Sequence, residues 1–190
     1  MKLSLAIMLG VFLFSGASLA VNTQEDLLAR CAEQLSGGNA LTGRFRQEKK
    51  LEFLESPVVS SGEFVIAGDG ELTWHVTEPV ESLMEVRGNK VTLDGERVRG
   101  RGMGGMITLL MTGFMQGDFN GITRQFQVVG EVAEGSWALT LQTRSAPLKS
   151  MIKSIELGGS QYLHFINVLE KGGNLTRIEF SEVTPVNIDE

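Results

Sequence analysis

The sequence has 190 residues, with 17 lysines and arginines against 23 aspartates and glutamates, and a formal net charge of -6. This acidic balance disfavours nucleic acid and anionic membrane surfaces as partners. Cys31 is the only cysteine, so the sequence contains no pair for an internal disulfide, and its apolar neighbours at helical spacing favour core packing over a redox or nucleophilic role.

The N-terminus has the pattern of an export signal. Lys2 precedes a run, residues 3–14, that is apolar except for Ser4, and small residues follow up to Ala20. The run is shorter than the roughly 20 apolar residues that span a bilayer, and the small residues suit cleavage by a signal peptidase. We therefore expect residues 1–20 to be a cleavable signal peptide, with an anchoring helix as the alternative, and residues 21–190 to form a single soluble domain.

A helix and then a series of short strands follow. Thr23 and Asp26 form a capping-box pattern ahead of apolar residues at helical spacing, which predicts a helix over 24–35. From Leu41 the apolar period changes to two, which indicates a half-buried strand with Leu41 and Phe45 on one side. Further strands are predicted at 58–66, 72–76, 83–86, 91–93, 97–99, 125–129, 137–143, 151–157, 162–169 and 175–183.

The breaks between these strands contain residues that favour turns. Glycine, asparagine and aspartate occupy 67–70, 88–89 and 172–174, where they tolerate the positive φ of tight turns. Short strands at this spacing are typical of antiparallel meanders. We therefore expect a mainly antiparallel α+β fold, built as one curved sheet or incomplete barrel.

One apolar segment, residues 103–116, interrupts the strands. It contains four of the eight methionines of the sequence and no charged residue, and glycines flank it. The pattern predicts a helix that is apolar nearly all round and is therefore buried or covers an apolar surface. Methionines repack around ligands of different shape, and the glycines would let the helix swing as a lid; the alternative is a core helix that fills the inner side of the sheet.

Two further groups of residues are candidates for chemistry. Arg97, Arg99 and Arg101 alternate along a predicted strand, so they would share one side and form a basic docking surface for an acidic partner or a lipid phosphate; the alternative is a solvated strand face. His75 and His164, the only histidines, lie in no catalytic or metal-binding motif. We therefore expect no catalytic residue, metal or cofactor.

Several short motifs occur in an order that resembles the LolA family of outer-membrane lipoprotein carriers. They are Phe45-Arg46-Gln47, Ser61-Gly62-Glu63-Phe64, the tryptophan strand Leu72-Thr73-Trp74-His75-Val76-Thr77-Glu78-Pro79, and the closing Asn174-Leu175-Thr176-Arg177-Ile178-Glu179-Phe180. The resemblance spans most of residues 21–190 and depends on the order of the motifs. It implies a half-open antiparallel β-barrel of about eleven strands, closed by helices.

The resemblance also implies a function. The chain would be a monomeric periplasmic carrier that shelters lipoprotein acyl chains, receives its cargo from an inner-membrane ABC transporter and passes it to an outer-membrane receptor. The side chains that we expect to line the apolar hollow are Phe45, Phe64, Trp74, Met84, Val86, Met103, Met106, Ile107, Leu110, Met111 and Phe114.

The sequence departs from the family pattern at the lid. The family usually has an Arg-Pro pair in the turn before the tryptophan strand, and this arginine latches the helical lid. Here the turn reads Ala67-Gly68-Asp69-Gly70, and the proline that often precedes the lid helix is also missing. The departure implies a looser lid, and it leaves open a cargo such as a glycolipid or a polyene-like acyl product, or a lipid-sensing regulatory role.

Overall fold

The computed structural model describes residues 23–36, 40–88, 90–98 and 102–186, which form one antiparallel sheet and four helices. The strands are β1 (Leu41–Lys50), β2 (Val58–Ile66), β3 (Leu72–Glu78), β4 (Ser82–Arg87), β5 (Lys90–Leu93), β6 (Glu96–Arg97), β7 (Phe126–Ala133), β8 (Ser136–Thr143), β9 (Ile152–Gly159), β10 (Leu163–Glu170) and β11 (Leu175–Pro185). The helices are α1 (Gln24–Gln34), α2 (Gly102–Gln116), α3 (Asn120–Gln125) and α4 (Ala146–Met151).

The eleven described strands form two meanders that are joined through the first and last strands. Their order in the sheet is β6-β5-β4-β3-β2-β1-β11-β10-β9-β8-β7. Phe45 of β1 lies opposite Phe180 of β11 at this junction. β6 and β7 remain at opposite edges, so the sheet is not closed. The expected half-open, mainly antiparallel architecture is therefore confirmed.

Period-two sequence gives the sheet one apolar face, which we call the inner face. On β2, Phe64 and Ile66 are buried, whereas Glu63 and Val65 between them are exposed. An aromatic cluster forms where the two meanders meet. The Phe45 and Trp74 rings stack with centroids 3.7 Å apart, and Phe64 meets Phe180 edge-on at 5.6 Å. Such pairs add to the stabilisation that burial of these large rings provides.

Helix α1 covers the free backbone of the edge strand β7. The Gln24 Oε1 atom accepts a hydrogen bond from the Val128 amide at 2.9 Å, and Arg30 and Gln34 donate to carbonyl oxygens of β7 at 2.5 Å each. These bonds occupy backbone groups that an open sheet edge would leave unpaired. The helix begins at the predicted cap, where Thr23 Oγ1 accepts from the Asp26 amide, and it ends at Gln34 rather than at residue 35.

The structure corrects the predicted strand limits at three places. The predicted strands at 125–129 and 151–157 begin one residue early, because residues 125 and 151 end the short helices α3 and α4, which the sequence analysis missed. Helix α4 has recognisable signals, with Ser145 as N-cap and a proline in its first turn. The strand predicted at 97–99 is instead the two-residue β6, Glu96–Arg97, and residue 99 lies outside the described residues.

Candidate functional site

Helix α2 lies against the inner face of the sheet. Its described side chains include no charged group, and six of its apolar residues are buried. Phe114 stacks on Trp137 of β8 with ring centroids 5.1 Å apart, and it also contacts Phe119, which follows the helix, at 4.9 Å. No helix in the described ranges is long and apolar enough to cross a membrane. The segment predicted over 103–116 is therefore a helix that covers the inner face.

The structure brings the side chains expected to line the hollow together. The expected lining side chains from the strands and from α2 belong to a single apolar cluster. Its buried members among them are Phe45, Phe64, Trp74, Val86, Met106, Ile107, Leu110, Met111 and Phe114. Met84 is partly buried against the same cluster. The side chain of Met103 lies outside the described part of the chain.

A cavity of about 250 Å³ lies between Ile107 of α2 and the inner face near the ends of β1 and β3. Its apolar lining residues are Trp74, Val76, Met84, Leu93 and Ile107, and its polar lining residues are Gln47, Lys49, Ser82 and Thr176. Small-molecule sites typically have volumes of roughly 300–1,000 Å³. The cavity is below this range, so the arrangement is a closed one, in which α2 fills the inner face that a larger apolar ligand would need.

Two sets of contacts hold α2 in this position. At its C-terminal end, the Gln116 Nε2 atom donates hydrogen bonds to the carbonyl oxygens of Ala67 and Gly68 at 3.0 and 3.4 Å. Along its length α2 packs closely on α3, because a Cβ atom added at Gly113 would lie only 2.6 Å from Ile122 Cδ1. Sequence analysis missed Gln116, since a glutamine at the end of an apolar helix has no distinctive pattern.

Neither histidine forms a recognisable catalytic arrangement. The His75 Nε2 atom lies 2.9 Å from an oxygen of the exposed Glu81, and His164 Nε2 lies 3.2 Å from the Ser160 hydroxyl. Burial raises the pKa of the Cys31 thiol to about 12, which keeps the thiol protonated and unreactive at neutral pH. Within residues 23–36, 40–88, 90–98 and 102–186, no group of three or more metal-ligating side chains is present.

The predicted docking surface is only partly described. Arg97 is exposed at the end of the two-residue strand β6, at one edge of the sheet. Arg99 and Arg101 lie outside the described residues. The structure therefore shows one accessible arginine of the predicted three.

Comparisons with known proteins agree with this architecture. The family model described as outer membrane lipoprotein carrier protein LolA matches residues 36–189. An outer-membrane lipoprotein carrier protein of Pseudomonas fluorescens is 26% identical over 171 residues, which cover 87% of this chain and 81% of the relative.

One of the solved structures shows a similar fold. The crystal structure of a LolA superfamily protein from Nitrosomonas europaea has a TM-score of 0.50 at 10% identity and covers 87% of this chain and 94% of that chain. A crystal structure of MucB has a TM-score of 0.44 at 17% identity and covers 86% of this chain and 59% of that chain. The family match includes all eleven described strands and the three helices α2, α3 and α4. The chain therefore belongs to the LolA family of outer-membrane lipoprotein carrier proteins.

Proposed function

We propose that this chain is a periplasmic carrier that shelters the acyl chains of lipoproteins, without a catalytic step. It would take its cargo from an inner-membrane ABC transporter and deliver it to an outer-membrane receptor, acting as a monomer. The observation that supports this proposal is helix α2, an uncharged, methionine-rich helix that covers the apolar inner face of an incomplete barrel.

The physical demand on such a carrier is to bind an acyl chain strongly and still release it. A sixteen-carbon chain gains roughly 12 kcal/mol on leaving water, at about 0.8 kcal/mol per methylene. In the closed form α2 buries its own apolar side chains, such as Leu110 and Met111, against the sheet. Because those contacts must be given up before a chain can bind, part of the gain is offset and the net affinity stays moderate.

Opening would occur by movement of α2 away from the sheet. The helix contacts the turn before β3 through the Gln116 side chain, and its buried side chains other than Thr108 are apolar. Apolar contacts are non-directional, so Met106 and Met111 can exchange sheet contacts for ligand contacts with little loss. This movement would uncover the inner-face side chains of Phe45, Phe64 and Trp74. We propose these as the acyl-chain lining, together with Met84 and Val86 of the sheet and with Met103, Met106, Ile107, Leu110, Met111 and Phe114 of α2.

A second candidate is a carrier of a different lipid, such as a glycolipid or a polyene-like acyl product. The turn at 67–70 lacks the family's arginine, and here the bonds between turn and lid come from Gln116 on the helix. A differently held lid fits a cargo of different shape. We also propose Arg97, Arg99 and Arg101 as a docking surface for the partner that receives the cargo.

Mass spectrometry of lipid that co-purifies with the chain from its native compartment tests the proposal. We expect triacylated lipoprotein in stoichiometric amount. Recovery of a glycolipid or polyene instead would support the second candidate, and recovery of no lipid-linked species after gentle extraction would contradict both. The mass of the recovered chain also tests the predicted signal peptide, because cleavage after Ala20 leaves Val21 as the first residue.

A further inference from the structure

The hydroxyl of Thr176 is buried without a hydrogen-bond partner among the described residues. The side chain is 3% exposed and lines the cavity beneath α2. A buried hydroxyl without a partner is costly, whereas a valine of the same shape would fill the position without that cost. The oxygen itself has almost no accessible surface, so a group in the cavity can reach it only after the side chains around it move.

A free cation lies directly opposite this hydroxyl. Lys49 of β1 is the register partner of Thr176 on β11, and both line the cavity. Directly opposed residues on one face of an antiparallel pair have Cβ atoms only about 4.5–5.5 Å apart. In the described part of the chain, no carboxylate lies within ion-pair distance of Lys49. Gln47, two residues earlier on the same strand, adds an amide to this side of the cavity.

The two sides of the cavity differ in chemistry. Three of its four polar residues come from β1 and β11, whereas its apolar residues come from β3, β4, β5 and α2. On the apolar side, Trp74, Met84 and Ile107 offer a surface for a hydrocarbon chain. On the other side, the ammonium of Lys49 and the hydroxyl of Thr176 can donate to one anionic group, whereas the Gln47 Nε2 atom already donates to the Ser60 hydroxyl at 3.5 Å.

We propose that this cavity is a headgroup subsite for a single-chain acyl amphiphile with an anionic head. The carboxylate or phosphate of the ligand accepts a hydrogen bond from Lys49 and, once the surrounding side chains have moved, one from Thr176. Its chain lies against Trp74 and extends along the face that α2 uncovers. The proposal rests on the proposed acyl-chain carrier function and adds a second class of ligand to the lipoprotein cargo. An ordered water that bridges Thr176 and Lys49 is the competing explanation, and it predicts no preference for charged ligands.

Binding of three ligands to the full mature chain tests the subsite, with tryptophan fluorescence and calorimetry as the readouts. The ligands are palmitate, palmitoyl lysophosphatidate and methyl palmitate, which share a chain and differ in the head. We expect at least one anionic ligand to bind about tenfold more tightly than the neutral ester. The reason is that only the anionic head accepts charge-assisted hydrogen bonds, which are stronger than neutral ones. The tighter of the two anions identifies the head as carboxylate or phosphate.

Three variants test which side chains cause the preference for an anionic head. Lys49→Met should remove the preference for the anion, and Thr176→Val should weaken anion binding while raising the denaturation midpoint, since it removes a buried hydroxyl without a partner. Lys50→Met is the matched control, because Lys50 is the next residue on β1 and is exposed. It should leave the preference unchanged.

Two outcomes would overturn the subsite. One is equal binding of the ester and both anions, and the other is a preference that survives in the Lys49→Met variant. In both cases binding of the ester shows that acyl chains are still sheltered, so the carrier function stands. Failure of all three ligands to bind would instead contradict the carrier function on which the subsite rests.

Discussion

The side-chain amide of Gln116, the last residue of α2, donates a hydrogen bond of 3.0 Å to the carbonyl oxygen of Ala67 in the turn before β3. The turn itself has no side chain that reaches the helix in the way expected of the family's arginine, so the helix provides the donor and the turn provides backbone acceptors. The missing arginine predicts a looser lid, and this stays a prediction. The structure shows that the end of α2 is hydrogen-bonded to this same turn through Gln116.

Replacement of Gln116 by leucine keeps the size of the side chain and removes its donor. We expect the closed position of α2 to lose about 0.5–1.5 kcal/mol, the usual net value of such a hydrogen bond. Hydrogen exchange of α2 amides should become faster, and acyl ligands should enter and leave more quickly. Gln142→Leu, on the exposed side of β8, is the control. Unchanged exchange in Gln116→Leu would show that the bond does not hold the lid.

A close approach of two strands makes Gly62 a sensitive position. A Cβ atom added at Gly62 would lie 1.9 Å from the backbone carbonyl oxygen of His75 on β3, so the strands would have to separate. We expect Gly62→Ala to lower the free energy of unfolding by about 3 kcal/mol, the upper part of the range for overpacking. Urea denaturation measures this. Gly68→Ala is the matched control, because nothing lies within 4 Å of its added Cβ.

Local patterns predicted most of the strands because one face of the sheet is buried. Alternation such as that of Phe64 and Ile66 with Glu63 and Val65 appears directly in the sequence, and the turns are marked by glycine and asparagine. The pairing of β1 with β11 leaves no such local signature. It depends on contacts between distant segments, so the strand pattern predicted an incomplete barrel but not which strands join its two halves.

The sequence predicted the apolar lining of the candidate site but not its polar residues. The apolar lining was accessible to sequence analysis, because large apolar residues at strand or helix spacing predict an inner face. Lys49 and Thr176 were not identified, since each is an unremarkable polar residue near a strand end. They become neighbours only through the β1–β11 register. Gln116 was missed for the same reason, because its acceptors at Ala67 and Gly68 are distant in sequence.

The buried thiol of Cys31 should be protected from modification in the folded chain. Burial raises its pKa from 9.0 to about 12, so at neutral pH the thiol is both protonated and inaccessible. We expect slow reaction with a maleimide reagent in buffer and rapid reaction in denaturant. Equal rates in the two conditions would contradict the burial of α1 against the sheet.

The raised pKa also has a consequence for stability at alkaline pH. Below pH 9 both the folded and unfolded thiols are protonated, so this contribution to stability is fully present. Between pH 9 and about 12 only the unfolded thiol loses its proton, so the free energy of unfolding falls as the pH rises through this window. Urea denaturation at about pH 8.5 and 10.5 should show a smaller decrease for Cys31→Ala than for the parent chain.

Arg97 should affect cargo transfer without affecting the fold. It is exposed on the two-residue strand β6, so Arg97→Glu should change the free energy of unfolding by no more than about 0.5 kcal/mol. If the arginines at 97, 99 and 101 dock an acidic partner, charge reversal should slow association and make it less sensitive to salt, because rim charges act chiefly on the association rate.

The measurement is the amount of lipoprotein that reaches the outer membrane in cells that depend on the variant. Arg124→Glu, an exposed arginine on α3, is the control. Equal loss of transfer in both variants would indicate a general effect of charge and would contradict a docking surface at Arg97.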